Sequence, residues 1–352
     1  MYIVGLGTAH PEHRYTKADC WNAFRVSPWF DRLDRRARLV TEMVLSRDNG
    51  IEARWLAVDS LDEVFCIDPD TLHARFLTHA PLLAAQAATR ALDDAGVLAT
   101  DIDAVIVSTC TGYLCPALSS YVAESLGLRA DVQALDLVGQ GCGAALPNLR
   151  TGEALIASGQ CTRVLSICVE VSSAAMYLDN DVGVLISACL FGDGAGAAVL
   201  SSTPAPARRS VRWVRAASIT DPQHRDALRF EQRSGLLRNI LTREVPGLAA
   251  THAERVLDAV LGAEGLQRGD ITGWIWHAGG RDVLAALRQQ LNLSEADVRH
   301  SAAMLREYGN LSSAFVYFVL QAALAADAPG GRWWLASFGA GFSSHGALLD
   351  VA

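Results

Sequence analysis

Lysine is almost absent from this 352-residue chain. Lys17 is the single lysine, and arginine supplies the rest of the 30 basic residues. Pyridoxal catalysis needs a lysine Schiff base, and P-loop phosphoryl transfer needs a lysine on the phosphates. Unless Lys17 serves, the sequence excludes both classes of enzyme. The net charge of -8 also argues against a broad nucleic-acid surface, so we expect no nucleic-acid partner.

Proline, charge and long apolar runs are scarce as well. Eleven prolines and 19% charged residues beside 51% hydrophobic residues are typical of a chain with a large core, and exclude disorder. The longest apolar run, 311–326, is interrupted by polar residues and is shorter than the roughly 20 residues that a bilayer span needs. The N-terminus shows no signal-peptide pattern. We therefore expect a cytoplasmic protein without a membrane span.

None of the eight cysteines belongs to a CxxC pair. A chain of this size without a signal peptide has no need of a disulfide framework, and the spacing indicates no metal site. Most of the cysteines are therefore expected to be buried thiols. Any cysteine with a chemical role has to be identified from its sequence neighbours.

Helical and strand-like patterns alternate along the chain, and their order occurs twice. The periodicity predicts helices at 79–92, 119–126, 143–158, 252–261, 282–291 and 311–326. It predicts strands at 2–7, 101–109, 132–137, 163–170, 270–276 and 332–338, and a glycine-rich turn with a following strand at 188–200. Any α/β protein alternates in this way, but two strand pairs, starting at 101 and 270 and at 163 and 332, are separated by the same offset along the chain. We infer a duplicated α/β fold with halves at 1–205 and 206–352, each a mixed sheet with helices on its faces.

Cys142 and Asn310 lie in similar glycine-containing turns of the two halves, separated by almost the same offset, and each turn comes just before a long apolar helix. The positive end of a helix dipole lowers the pKa of a cysteine, which predicts a reactive thiolate at Cys142. Gly141 and Gly143 would let a substrate approach its backbone closely. The alternative interpretation is a small buried cysteine that begins a helix.

His277 follows the strand-like GWIW and precedes a glycine pair, at the position that corresponds to Cys110 in the first half. Open α/β sheets place their chemistry at such carboxyl ends of strands, although a purely structural histidine is the alternative. Together Cys142, His277 and Asn310 provide a nucleophile, a base or hydrogen-bond donor, and an orienting donor. Papain-like hydrolases use the same three residue types, so the residues alone leave the reaction open.

The chain resembles the type III polyketide synthases, the chalcone-synthase-like branch of the thiolase superfamily, over essentially its whole length. The motifs that carry the resemblance are GCGAAL around Cys142, LFGDGAGAAVL from Leu190, WIWHAGG around His277, EYGNLSSA around Asn310 and SFGAGFSSHGALL from Ser337. The ketoacyl synthase III family also uses Cys, His and Asn, but its HQAN-like and GNTS-like motifs do not occur here. The resemblance implies a thiolase-like fold in a layered αβαβα arrangement.

The resemblance also implies a homodimeric acyltransferase that loads an acyl-CoA starter on Cys142, extends it with malonyl-CoA by decarboxylative Claisen condensation, and cyclises the chain. His277 and Asn310 would polarise the malonyl thioester carbonyl and stabilise the enolate. The coenzyme A thioesters are substrates, and no metal or redox cofactor is implied. The alternatives are a single-condensation enzyme similar to ketoacyl synthase III, and a thiolase-fold acyl-CoA hydrolase or binding protein.

Further positions carry over from the family one by one. Phe191 matches a gatekeeper aromatic between the acyl-CoA tunnel and the cavity, although the residue by itself would be interpreted as a core aromatic. Cys110, Thr111 and Ser312 match positions that line the cavity. Cys115 matches a position that reaches across the dimer interface into the partner's cavity.

Two departures from the family pattern concern substrate binding. A second gatekeeper phenylalanine is expected near 237–240, but Arg238 and Asn239 stand there. The lysines that commonly contact the coenzyme A phosphates are absent too. Arg47 and Arg54 are candidates to replace them, because the guanidinium fork suits phosphate; solvated surface arginines are the alternative interpretation.

Overall fold

Thirteen strands and eleven helices build the part of the chain that the computed structural model describes, residues 1–205, 209–326 and 328–352. The strands are β1 (Tyr2–Ala9), β2 (Arg14–Thr16), β3 (Ala53–Trp55), β4 (Ala104–Ser108), β5 (Gln133–Leu137), β6 (Arg163–Glu170), β7 (Gly194–Ser201), β8 (Val211–Thr220), β9 (Leu228–Arg233), β10 (Leu236–Leu241), β11 (Ile271–Trp276), β12 (Gly331–Gly339) and β13 (Ser343–Val351). The helices are α1 (Lys17–Val26), α2 (Pro28–Arg32), α3 (Arg35–Ser46), α4 (Pro69–Ala95), α5 (Leu118–Leu126), α6 (Ala145–Ala157), α7 (Val182–Leu190), α8 (Val245–Glu264), α9 (Arg281–Leu291), α10 (Glu295–Tyr308) and α11 (Phe315–Ala325).

Nine of these strands form one mixed sheet in the order β11-β12-β13-β8-β1-β7-β6-β4-β5. In the N-terminal part, β7 pairs antiparallel with β1 and with β6, and β6 pairs parallel with β4. In the C-terminal part, β13 pairs antiparallel with β8 and with β12, and β12 pairs parallel with β11. The same series of pairings therefore occurs twice. The two parts are continuous, because β1 and β8 pair through two residues of each strand.

Helices cover both faces of this sheet. The apolar helices α6 and α11 contact strands of both parts, so they form a shared central layer. On the outer faces, α4 and α5 pack on the N-terminal strands, and α8 packs on β8 and β13. This arrangement confirms the layered αβαβα expectation.

The contact between β1 and α4 shows how the outer layer is built. A Cβ atom at Gly5 or Gly7 would overlap the backbone of α4, so glycine at both positions allows the helix to lie directly on the strand. The helix begins where the Asp68 side chain caps it and ends at Gly96, which has a left-handed φ of 65°.

Several expectations from the sequence need correction. Helix α4 starts at Pro69, well before the predicted 79, and residues 188–190 end helix α7 instead of belonging to a turn. Strands β8, β9, β10 and β13 and helix α10 were not predicted. Arginines in β8 and serine, histidine and glycine in the buried strand β13 obscure the apolar pattern. The predicted boundary at 205/206 adjoins residues 206–208, which lie outside the described residues.

Candidate active site

Cys142 lies in a tight 3-10 turn, Gly141–Gly143, directly before helix α6. Gly141 has a left-handed φ of 56°, which glycine adopts without strain. A Cβ atom at Gly143 would stand 3.0 Å from the Cα atom of Gly339. The two glycines therefore allow the turn to pack tightly against the end of β12, with the Cys142 thiol buried.

The pKa of Cys142 does not follow the helix-dipole prediction. Burial raises the pKa of this thiol to about 12; a hydrogen bond from the Ser312 hydroxyl, 3.2 Å from Sγ, lowers it, and the Glu170 carboxylate raises it. Desolvation disfavours the thiolate more than the local hydrogen bonds favour it. The Cys142 side chain is therefore a protonated thiol, and a base is needed to form its thiolate.

His277 and Asn310 meet in the same buried region. His277 Nε2 lies 3.2 Å from Asn310 Oδ1, and because an amide oxygen only accepts, the imidazole donates this bond. Burial lowers the pKa of His277 to about 4, and the bond to Asn310 opposes the shift. The imidazole is consequently neutral near pH 7, and its Nδ1 has no protein partner among the described residues.

Asn310 is fixed by backbone and side-chain bonds from both halves. Its N–H donates to Leu190 O at 2.9 Å, and its carbonyl accepts from Gly192 N at 3.0 Å. Its Oδ1 also accepts from Ser312 N at 2.8 Å, and its Nδ2 donates to Gly279 O at 3.2 Å. One N–H of the amide remains for a substrate oxygen.

Glu170, which sequence reasoning missed, lies at the centre of a buried hydrogen-bond network. Its carboxylate is fully buried and accepts from Cys110 N at 3.0 Å, from Thr111 Oγ1 at 2.9 Å and from the Ser313 hydroxyl. Ser312 Oγ also lies 3.2 Å from this carboxylate, and its single hydrogen is shared between Glu170 and Cys142 Sγ. Burial raises the pKa of Glu170 despite these bonds. The sequence signal for Glu170 was weak, since it is a single carboxylate at the end of the mainly apolar strand β6.

A large cavity of about 900 Å³ contains much of the predicted site. Cys142, His277, Asn310, Phe191 and Arg47 all line it. The other basic residues of its wall are Arg36, Arg243 and Arg281. The Cys142 thiol, the His277 imidazole and the Asn310 amide therefore face one space that four arginines also reach.

A smaller inner pocket adjoins the large cavity. Cys110, Thr111 and Ser312 line this inner pocket together with Phe191 and Asn239. Burial, and after it the Glu170 carboxylate, raises the pKa of Cys110 well above its usual range. The positions predicted to line a substrate cavity are thus brought together next to Cys142.

An outer cavity of about 710 Å³ lies beyond the inner pocket and shares Cys110, Thr111 and Phe230 with it. Exposed apolar side chains line its mouth, Tyr113 at 72% and Val138 at 59%. Cys115 is also exposed.

Arg54 is placed differently from Arg47. The Arg54 guanidinium is buried and donates to Ala188 O at 2.8 Å and Phe191 O at 3.1 Å. It therefore closes the end of helix α7 and does not line the large cavity, in contrast to the expectation of a coenzyme A contact.

Comparisons with known proteins agree with this geometry. A family model described as FAE1/Type III polyketide synthase-like protein matches residues 62–261, and one described as chalcone and stilbene synthases, C-terminal domain, matches residues 219–348. A 1,3,6,8-tetrahydroxynaphthalene synthase of Streptomyces peucetius subsp. caesius is 32% identical over 99% of this chain and 92% of its own length. A 3,5-dihydroxyphenylacetyl-CoA synthase of Streptomyces toyocaensis is 29% identical over 99% and 89%.

Solved structures extend the comparison to the fold. PKS-I from the brown alga Ectocarpus siliculosus superposes with a TM-score of 0.91 at 26% identity, covering 99% of this chain and 98% of that one. The tetrahydroxynaphthalene synthase of Streptomyces coelicolor A3(2), a bacterial type III polyketide synthase, gives 0.86 at 25% identity, covering 99% of both chains.

The fold and the relatives show an acyl-CoA condensing enzyme with a thiolase-like fold, an acyltransferase. The chain belongs to the chalcone synthase-like type III polyketide synthases. The relatives do not favour the single-condensation or hydrolase alternatives. Within the described ranges, no helix has both the length and the apolar character needed to cross a membrane.

Proposed function

We propose that Cys142 is the residue on which this polyketide synthase carries its acyl chain. Its sulfur attacks the carbonyl carbon of the acyl-CoA starter, the thioester bond to Cys142 forms, and the bond to coenzyme A breaks. The thiol proton passes to neutral His277 and from there to the departing coenzyme A sulfur. The position of Cys142 and His277 on the wall of one cavity supports this role.

Extension follows from the hydrogen-bond donors beside the nucleophile. Malonyl-CoA loses carbon dioxide, and the enolate oxygen that forms is stabilised by the free N–H of the Asn310 amide, which His277 holds in position by donating to Asn310 Oδ1. The enolate carbon then attacks the thioester on Cys142, which releases the cysteine sulfur and leaves the lengthened chain on coenzyme A. Transfer back to Cys142 prepares the next extension, and the final chain cyclises.

The walls of the cavities support assignments for the other predicted positions. We place Phe191 at the passage from the large cavity, with Cys110, Thr111 and Ser312 around the growing chain. Arg47, with the three other arginines of the large cavity, is our candidate for the coenzyme A phosphates, since arginine binds phosphate through two parallel bonds.

We further propose a homodimer with no nucleic-acid partner, with no metal or redox cofactor, and a cytoplasmic location. Tyr113 and Val138 are exposed at the mouth of the outer cavity, Cys115 is exposed close to Tyr113 in the chain, and a second copy would cover them. Coenzyme A thioesters are made and consumed inside cells, which supports the location. We retain the halves 1–205, with Cys142, and 206–352, with His277 and Asn310, as the division of the chain.

The test combines product analysis with intact mass. Wild-type enzyme with malonyl-CoA and a panel of starters should give polyketide products and one acyl adduct on the peptide that contains Cys142. Cys142→Ala should lower condensation at least about a thousandfold without unfolding the chain. Cys66→Ala, at an exposed cysteine, is the matched control. An adduct on Cys110 or Cys189 in place of Cys142 would contradict the proposal.

A further inference from the structure

A buried hydrogen-bond network joins the two helices of the central layer. Asn148 of α6, Ser166 of β6 and Tyr317 of α11 form this network, and each of them is at most 2% exposed. Asn148 Oδ1 lies 2.7 Å from Ser166 Oγ, which in turn lies 2.8 Å from the Tyr317 hydroxyl oxygen. The network therefore connects a helix of the N-terminal part with a helix of the C-terminal part through one strand.

The direction of each hydrogen bond in this network is fixed by the groups that form it. Asn148 Nδ2 faces the carbonyl oxygens of Ile106 in β4 at 3.2 Å and of Ile167 in β6 at 3.0 Å, and these oxygens only accept. The amide oxygen of Asn148 therefore faces Ser166 and accepts its single hydrogen. Tyr317 then donates its own hydrogen to Ser166 Oγ. Each side chain has one defined orientation, and a buried network whose members are paired in this way is rigid.

Two of these side chains lie on elements that carry residues of the candidate site. Asn148 lies on the first turns of α6, the helix that begins directly after the Cys142 turn. Ser166 and Glu170 both lie on β6, and their spacing places them on the same face of the strand. The bonds from Asn148 to β4 and β6 therefore fix the position of the Cys142 turn relative to the Glu170 carboxylate.

The third side chain lies beside the second turn of the site. Tyr317 is in the first turn of α11, directly after the 3-10 turn Ser312–Ala314. Ser312 Oγ lies 3.2 Å from Cys142 Sγ and 3.2 Å from the Glu170 carboxylate. The three elements that the buried network joins thus meet again at the Ser312 hydroxyl. A shift of α6 along the sheet would change the distance between Cys142 and Ser312.

We propose that Asn148 is a positioning residue for the Cys142 thiol and acts through its hydrogen bonds to β4, to β6 and, by way of Ser166, to Tyr317. The proposal deepens, and rests on, the proposed acylation of Cys142. Asn148 holds α6 on the sheet so that the thiol stays within hydrogen-bond distance of Ser312. A displacement of about 1 Å caused far from the reacting atoms can slow a reaction about a hundredfold. Loss of Asn148 therefore slows attack by the thiol and leaves binding of the coenzyme A thioester unchanged.

The test separates the rate of acylation from substrate binding. Intact mass follows single-turnover acylation at increasing concentrations of hexanoyl-CoA, or of the starter that the wild type prefers, and gives a maximal rate and a half-saturating concentration. In Asn148→Ala the maximal rate should fall about tenfold, with the half-saturating concentration within about twofold of the wild type. Tyr317→Phe removes one hydroxyl, keeps the core filled and should lower the maximal rate about threefold. Asn22→Ala, at an exposed position of α1, is the control and should keep the wild-type rate.

A double-variant cycle shows whether Asn148 acts through the contact between the thiol and Ser312. If it does, the loss of rate in Asn148→Ala/Ser312→Ala should be at least about threefold smaller than the product of the two single losses. A purely structural role predicts the simple product, and that result overturns the proposal. A wild-type maximal rate in Asn148→Ala also overturns it, as does a wild-type rate in Tyr317→Phe if Asn148→Ala does not fold. Failure of the proposed function looks different, because the wild-type enzyme itself would then carry no acyl group on Cys142 with any starter.

Discussion

The turn that carries Cys142 and the turn after Asn310 have the same shape and different chemistry. Each is a 3-10 turn, Gly141–Gly143 or Ser312–Ala314, followed by an apolar helix of the central layer. A left-handed residue begins each turn, with φ of 56° at Gly141 and 51° at Ser312. In the first turn, Gly141 and Gly143 flank the Cys142 thiol. The second turn carries the hydroxyl groups of Ser312 and Ser313.

Each turn packs against the opposite half of the molecule. The Cys142 turn contacts β12 and β13, where the Ser337 hydroxyl donates to Gly143 O at 2.9 Å. The Ser312 turn contacts β6, where the Glu170 carboxylate lies within hydrogen-bond distance of the Ser312 and Ser313 hydroxyl groups. A histidine, His345, lies behind the first turn, and a carboxylate lies behind the second. The duplicated scaffold thus provides two equivalent turns, and residues from the other half give each turn a different chemical environment.

The largest expected effect concerns the asymmetry between Asn310 and its counterpart. Gln140 lies directly before the Cys142 turn, close to the position that corresponds to Asn310 when the two turns are aligned. Asn310→Ala removes a donor to the enolate and should lower malonyl-CoA decarboxylation about a hundredfold, but loading of Cys142 much less. Gln140→Ala should leave both reactions near wild type. Separate assays of decarboxylation and starter loading provide the measurement, and normal decarboxylation by Asn310→Ala would refute the donor role.

An intermediate effect is expected from exchanging small residues between the turns. Gly143→Ala places a Cβ atom 3.0 Å from the backbone of Gly339 and 3.2 Å from Cδ2 of His345. Overpacking of this kind costs about 1–3 kcal/mol, and the displaced thiol should slow condensation about tenfold. Ala314→Gly, at the corresponding position of the other turn, should cost about 1 kcal/mol and leave the rate within about twofold. Urea unfolding and steady-state rates measure both, and equal rate losses would show that the two turns are equally sensitive.

The smallest expected effect is a pH dependence from the histidine behind the Cys142 turn. Burial, helped by Arg150, lowers the pKa of His345 to about 4, and burial does the same for His277. The unfolded chain binds protons at both sites near pH 6.5, so stability is present above that pH and is lost as the pH falls toward 4. The free energy of unfolding of the wild type should fall between pH 7 and pH 5. In His345→Gln this fall should be smaller by about 2 kcal/mol.

Urea titrations at the two pH values measure this difference. His73→Gln, at an exposed histidine, is the control and should behave as wild type. If the loss of unfolding free energy between pH 7 and pH 5 is the same in His345→Gln as in the wild type, the burial of His345 does not contribute to that loss.

Prediction from sequence succeeded where the pattern was local. Strand β6 lies at the predicted residues, and α5 and α9 begin within one residue of their predicted starts. The match of Cys142 with Asn310 was less accurate. The two turns start at Gly141 and Ser312, so Cys142, the second residue of the first turn, has Ser313 as its structural counterpart. Asn310 lies before the second turn, because the offset from Cys142 to Asn310 is slightly shorter than the offset between the two turns. Insertions of a few residues between elements change such offsets, and hydrophobic periodicity does not reveal where these insertions lie.

The side-chain environment was harder to predict than the backbone. The helix position of Cys142 suggested a lowered pKa, yet burial raises it, and Arg54 donates to backbone carbonyls although its charge suggested a phosphate contact. Glu170 was overlooked because a single carboxylate at a strand end carries no pattern. These properties depend on neighbours far away in the chain, such as Ser312 and Ser313 for Glu170.

Local sequence patterns are sufficient to identify the family, the duplicated α/β scaffold and the residue types of the candidate site, because strand and helix periodicity and short glycine-bounded motifs are local properties. The environment of each of those residues depends on the tertiary structure. It buries Cys142 beside Glu170, turns the Arg54 guanidinium inward and brings Phe191 and Asn239 to the walls of both the large cavity and the inner pocket. Desolvation, hydrogen bonding and cavity shape arise from groups brought together across the whole chain, and these interactions set the chemistry of the site.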